Sequence, residues 1–208
     1  MRIKICGITE LEQGKAIAQY GATALGFMCV PTSPRYVSPS VLKSLTESLS
    51  TKIDCIGVFA NTETDLIIQM VSETSLTGIQ LHGDESPEFC FHLKQTLPQI
   101  EIIKALRIKT TDALVESEAY FNSVDTLLLD AYHPNLLGGT GKTLDWDKLA
   151  SFTPPLPWLL AGGLTPDNIN DALSLTSPNG IDLSSGVERS PGDKDLAKVK
   201  KLFQQLET

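Results

Sequence analysis

A thiol, Cys6, and a carboxyl, Asp130, each close a short apolar run, "IKIC" and "TLLLD". Held on either side of one ligand, such a pair can take a proton at one atom and give one at another. That is the equipment for an isomerisation without a redox cofactor. The base role asks for a lowered thiol pKa and the acid role for a raised carboxyl pKa. Each residue also has a plainer use: a lone Cys in a strand commonly fills core, and a lone Asp at a strand end is commonly a solvated cap.

Small residues form a second group. "AGGL" places Gly162 and Gly163, and "SSGVE" places Ser185 and Gly186, where backbone must approach a ligand closely. Two successive loops of this kind suit a phosphate held by backbone N–H groups, although glycine pairs also serve simple tight turns. Arg35 follows Ser33-Pro34, and its planar fork suits a carboxylate or phosphate, or else a surface ion pair. His82 and Asp182 stand at further run ends, His82 as a ligand contact or a hydrogen-bonded core histidine. Lys4 points into the interior or pairs with a carboxylate, and carries no functional claim.

"LLGGTGKT", Leu136 to Thr143, imitates a nucleotide-phosphate loop but lacks its opening glycine, since position 136 is Leu136. A β-carbon there resists the open backbone such a loop needs, and "LDWDKL" then puts Asp145 and Asp147 where the anion would sit. The stretch therefore needs another job.

These residues are spaced by a regular alternation. Apolar, β-branched runs recur as "IKICGI", "ALGFMCV", "DCIGVFA", "TGIQLHG", "EIIKALRI", "DTLLLDA", "PWLLAGG" and "GIDLSSG". Between them lie stretches with helical spacing, such as "SVLKSLTESL", whose Val41, Leu42, Leu45 and Leu49 share one face. Ser38 before Pro39, Asn61 before "TETD" and Thr165 before Pro166 mark helix starts. Continuously apolar strands fit a parallel sheet covered by helices. A strand–helix unit of roughly 25 residues, repeated about eight times, predicts an α/β fold, a single-domain (β/α)8 TIM barrel, over a doubly wound open sheet. No Pro/Gly/Ser-rich linker divides the chain, so residues 1–208 are expected to form one domain. In such a barrel the chemistry collects at the C-terminal strand ends, and phosphate sits after strands seven and eight. Strands one and six flank that arc, which sets Cys6 across the mouth from Asp130.

Composition limits the partners. A formal charge of −8 argues against general nucleic-acid binding, while leaving room for one small anion. No signal-peptide core and no apolar run approaching ~18 residues appears, so a soluble, cytoplasmic protein without membrane contact is expected. Cys6, Cys29, Cys55 and Cys90 lack a C-x-x-C pair and are expected as reduced, mostly buried thiols. His82, His92 and His133 show no zinc spacing, so no metal is expected.

Taken in order, "KICGIT", "GFMCVPTSPRYV", "GVF", "IQLHGDE", "LLLDA" with "GGTGKTLDW", "LAGGLTPDNI" and "GIDLSSGVERSPGDKD" resemble the phosphoribosylanthranilate isomerases of tryptophan biosynthesis, from Lys4 to Asp195. The resemblance implies Cys6 as general base, Asp130 as general acid, Arg35 on the anthranilate carboxylate, and Gly162, Gly163, Ser185 and Gly186 around the phosphate. It implies an Amadori rearrangement of N-(5-phosphoribosyl)anthranilate with no cofactor, a small-molecule sugar phosphate as partner, and "GGTG" as a loop covering the ligand. Two alternatives stay open: a related sugar-phosphate isomerase or epimerase, as in histidine synthesis, and a noncatalytic phosphate-ligand binding barrel. Metal dependence or indifference to the anthranilate carboxylate would favour the first; binding without turnover would favour the second.

Overall fold

A computed structural model describes residues 1–108, 112–131 and 146–207. Eight parallel strands close into a barrel in chain order: β1 (Arg2–Cys6), β2 (Ala24–Met28), β3 (Asp54–Phe59), β4 (Gly78–Leu81), β5 (Glu101–Ile108), β6 (Thr126–Ala131), β7 (Trp158–Leu160) and β8 (Gly180–Leu183). β1 pairs with β8 to complete the ring, with Lys4 opposite Asp182. The alternation read from the sequence is thus a barrel. The stretch "LLGGTGKT" lies outside the described residues.

The helices are α1 (Leu11–Gln19), α2 (Pro39–Ser48), α3 (Thr64–Glu73), α4 (Pro87–Thr96), α5 (Asp112–Glu116), α6 (Ile169–Leu175) and α7 (Leu196–Leu206). The expected evenness fails around β6. α5 is one short turn continued by a 3₁₀ turn, and the described residues between β6 and β7 hold only a 3₁₀ turn at Trp146–Leu149. An unforeseen hairpin, β9 (Glu188–Ser190) with β10 (Asp193–Lys194), follows β8.

Local chemistry explains most helix starts. Ser38 accepts from the Val41 N–H with Pro39 in the first turn, and Ser86 accepts from Phe89 with Pro87 behind it. Asp195 accepts from Ala197 and Lys198 to open α7. Two expected starts move. Asn61 adopts φ 50° and its side-chain oxygen accepts from Asp84 N–H, so it bends the chain and α3 begins at Thr64. Thr165 instead closes a local turn through Asp167 N–H, and α6 begins at Ile169. Leu42 and Leu45 of α2 and Leu49 just past its end are buried as expected, but Val41 is exposed, because it lies at the edge of the apolar stripe.

Both faces of the sheet are buried. Outward residues such as Ile5, Leu25, Phe27, Ile79, Leu127 and Ile181 belong to one apolar cluster with Ile17, Leu42, Ile67, Leu93, Val199 and Leu202 of the helices. The inward positions form a second cluster of Ala24, Ile56, Ile103, Ala105, Leu128, Leu159 and Ala161. That set plugs the barrel, and because side chains alternate along a strand, it fixes which neighbours also face inward. Two residues beyond Leu128 stands Asp130, and two beyond Leu159 stands Ala161. At the opposite, N-terminal end, Arg2 pairs with Asp54 and Glu101, and Thr126 donates to Glu101. Among the described residues no helix is long and apolar enough to cross a membrane.

If the inner cluster is a close-packed plug, Ile103→Ala should lower the unfolding free energy by about 2–5 kcal/mol. Chemical denaturation measures this, and a loss below about 1 kcal/mol would show that the interior can collapse around the change.

Candidate active site

At the C-terminal end of the barrel a cavity partly open to solvent is bounded by Cys6, Arg35, His82, Asp130, Gly162, Gly163, Asp182, Ser185 and Gly186. Every site residue expected from the sequence is therefore in one place. Gln80, Met28, Ser33 and Ser184 also face it.

Cys6 ends β1 two positions beyond Lys4, so both side chains point inward. Lys4 is fully buried, and its Nζ donates to Asp182 Oδ1 at 2.9 Å. Burial opposes the lysine's charge, but Asp182 and Cys6 outweigh it and hold the ammonium protonated. Gly26 of β2 makes the room: a Cβ there would come within 2.6 Å of Cys6 Sγ and 3.0 Å of Lys4 Nζ.

Burial pushes the Cys6 thiol above its ordinary value, and the Lys4 and Lys194 ammoniums only partly offset it. This runs against the lowering that the base role asks for. Cys6 still differs from the other thiols. Burial raises Cys29 and Cys90 to about 12 and Cys55 to about 11. Cys6 alone among the four lines the cavity and has Lys4 as its leading opposing charge. All four thiols are free and buried, as expected.

Across the cavity, Asp130 is buried at the end of β6. Its Oδ2 lies 3.3 Å from His82 Nε2, close enough for electrostatic contact but not aligned as a hydrogen bond. His82 Nδ1 is 2.8 Å from Gln80 Nε2. With the Gln80 amide so oriented it donates, Nδ1 accepts, and Nε2–H is the ring donor facing Asp130. His82 Nε2 and Gln80 Oε1 are buried without a hydrogen-bond partner among the described residues. Orphaned polar atoms on a cavity wall are what a polar ligand would satisfy. Asp182 joins the two sides: burial raises its pKa, Lys4 opposes that, and the charges of Asp130 and His82 both reach it.

The glycine loops meet at one rim. Gly162 and Gly163 have φ 87° and 67°, the left-handed region that β-carbons resist. Asn168 clamps this loop, donating to Gly163 O and accepting from Thr165 N–H. A Cβ on Gly186 would lie 1.9 Å from Leu164 O, so the β7 and β8 loops pack against each other without a side chain between them.

Arg35 reaches the cavity but is not unpaired. Its Nε and Nη2 grip Glu188 at 3.0 Å and 2.6 Å. Glu188 also accepts from Lys194 Nζ at 2.7 Å. Burial works to raise the Glu188 carboxyl, yet Arg35 and Lys194 together hold it below the usual carboxylate range. Burial in turn pulls Lys194 down against the pull of Glu188. Sequence reasoning missed Glu188 and Lys194. "SPGD" was an available turn signal for their hairpin, but nothing local ties Glu188 to an arginine 153 positions away. Gln80 was legible as a polar residue at a strand end. No group of His, Cys, Asp and Glu among the described residues is placed to hold a metal ion.

The family model described as N-(5'phosphoribosyl)anthranilate (PRA) isomerase matches residues 3–205. An N-(5'-phosphoribosyl)anthranilate isomerase of Rippkaea orientalis is 64% identical over 207 residues, covering 100% of this chain and 96% of the relative. The solved phosphoribosyl anthranilate isomerase of Thermotoga maritima superposes with a TM-score of 0.91 at 34% identity, covering 100% of this chain and 98% of its own. A further solved isomerase, 31% identical with a TM-score of 0.88 and covering 100% and 98%, is in complex with reduced 1-(o-carboxyphenylamino)-1-deoxyribulose 5-phosphate.

The crowding at Gly186 makes a direct prediction. Gly186→Ala must part the two loops, so inorganic phosphate measured by calorimetric titration should bind at least roughly tenfold more weakly. Unchanged affinity would show that these loops are not the anion cradle.

Proposed function

This chain belongs to the N-(5'-phosphoribosyl)anthranilate isomerase family, and we propose that Cys6 and Asp130 are the base and acid with which it performs the rearrangement. Its enzyme activity, in tryptophan biosynthesis, follows from that membership. The assignment of roles rests on the geometry: one cavity carries a thiol beside an ammonium on one wall and a carboxyl beside an imidazole on the other.

In this reading the substrate's phosphate sits against Gly162, Gly163, Ser185 and Gly186, and its ring spans from Cys6 to Asp130. Asp130 protonates the furanose ring oxygen. The bond from that oxygen to C1 breaks, and the anilino nitrogen supplies electrons to form a C1–N iminium. The Cys6 thiolate then removes the proton on C2, and the released pair forms a C1–C2 double bond that neutralises the iminium. The enolamine gains a proton at C1 and loses the one on its C2 oxygen, giving the ketone. The nitrogen is the internal electron sink, so the steps balance without an added cofactor. His82, against Asp130, orients the carboxyl and contacts the sugar. Asp182 holds Lys4 beside the thiol. Arg35 takes the anthranilate carboxylate. We further place the enzyme in the cytoplasm and read residues 1–208 as one barrel domain.

A positioned acid or base contributes about 10²–10⁴-fold in rate. Cys6→Ala and Asp130→Asn should each lower kcat by about that factor with little change in melting temperature, and near-normal turnover in either would refute its role.

The pH profile tests the base separately. A thiol raised by burial is mostly protonated at pH 7, so in Asp130→Asn, whose residual turnover needs no protonated carboxyl, kcat/KM should climb as pH rises from 7 toward 9. A flat profile in that variant over that range, with chemistry rate-limiting, would remove Cys6 as the base of the free enzyme.

A further inference from the structure

Glu188 is a carboxylate standing where a substrate carboxylate is expected to meet Arg35, and the geometry shows which part of the arginine it leaves open. Glu188 Oε1 accepts from Arg35 Nε, and Oε2 from Nη2. The side-by-side pairing consumes one edge of the planar guanidinium. Nη1 has no hydrogen bond to a described residue. The edge formed by Nη1 and the second Nη2 hydrogen is therefore the one a ligand can take.

Glu188 is itself immobilised. It faces Lys194 across the β9–β10 pair, and its Oε1 also accepts from Gly192 N–H at 3.2 Å. The hairpin is tied back to the barrel: Thr9 donates to Gly192 O, Gln13 donates to Asp193, and Lys194 N–H donates to Gln13. Lys194 Nζ also donates to Ser184 O in the β8 loop, 3.3 Å away.

We infer that Glu188 is a positioning residue: by holding one edge of Arg35, it aims the other edge at the substrate and sets the site's preference for a ligand carrying a carboxylate. This rests on the reading that Arg35 receives the anthranilate carboxylate. An arginine held in advance loses less freedom on binding than one that must be found by its ligand.

The test compares two reduced product analogues by titration calorimetry, one bearing a 2-carboxyphenylamino group and the other plain phenylamino. The ratio of their dissociation constants is the carboxylate preference. Glu188→Gln should shrink that preference by roughly tenfold while the phenylamino analogue binds within about twofold of wild type. In turnover it should raise KM more than it lowers kcat, because the lost contact serves ground state and transition state alike. Lys194→Met is a second variant of similar shape; it removes the ammonium that fixes Glu188 and should also shrink the preference, and no change there would overturn the inference. A larger preference in Glu188→Gln would show Glu188 to be a competitor for Arg35. Equal weakening of both analogues would show that the hairpin merely supports the whole rim. Either result overturns the inference. Arg35→Met separates it from the reading beneath it. If that variant keeps the wild-type preference, the reading of Arg35 fails; if it loses the preference and Glu188→Gln keeps it, only the role of Glu188 fails.

Discussion

The buried pair between Lys4 and Asp182 is the interaction around which this barrel is organised. An ammonium with no exposure cannot persist without a partner, and the partner comes from a strand 178 positions away. The two residues are direct neighbours in the β1–β8 register, so the pair spans the seam where the barrel closes. Shifting either strand by one residue would turn its charge outward into the apolar layer under the helices and leave the other charge buried without its partner. The pair therefore specifies the closing alignment, and the aligned strands bring Cys6 and the β8 loop to the same mouth.

The same alternation divides the interior into depths. Ile56, Ile103, Leu128 and Leu159 fill the barrel with hydrocarbon, while Lys4 and Asp182 sit next to the polar mouth. Above them the apolar filling gives way to Cys6, His82 and Asp130. Few waters reach such a floor, which strengthens each charge effect on it. The raised Cys6 thiol is one product of that burial, and the protonated Lys4 beside it is the counterweight.

Much of this was legible in the residues. Placement at the C-terminal strand ends of a barrel picked out Cys6, His82, Asp130 and Asp182, because each is fixed by its own strand. The glycine loops were legible because backbone crowding is a local demand, as Gly186 against Leu164 O shows. Contacts decided by remote packing were not. Arg35 was read as a fork for a ligand anion or for a surface ion pair, but which carboxylate it meets was hidden, because that partner lies on a hairpin that folds back beside the β1–α1 loop. Asn61 carried a capping signal yet spends its side chain on Asp84 of the next loop, a choice that tertiary contact makes. Val41 lies about 40° round the helix from Leu45, on the flank of the buried face, where spacing alone does not decide burial.

Closure has one more effect, on how copies of the chain meet. Each of the eight barrel strands has a hydrogen-bonded neighbour on both sides, so the ring offers no bare backbone rim for another molecule to extend. Among the described residues the only open ribbon is β9–β10. It is short and bears Arg189, Asp193 and Lys194, with Pro191 and Gly192 at its turn. Charge and brevity make it a poor template, so strand-by-strand stacking into fibrils is disfavoured while the native ring remains intact.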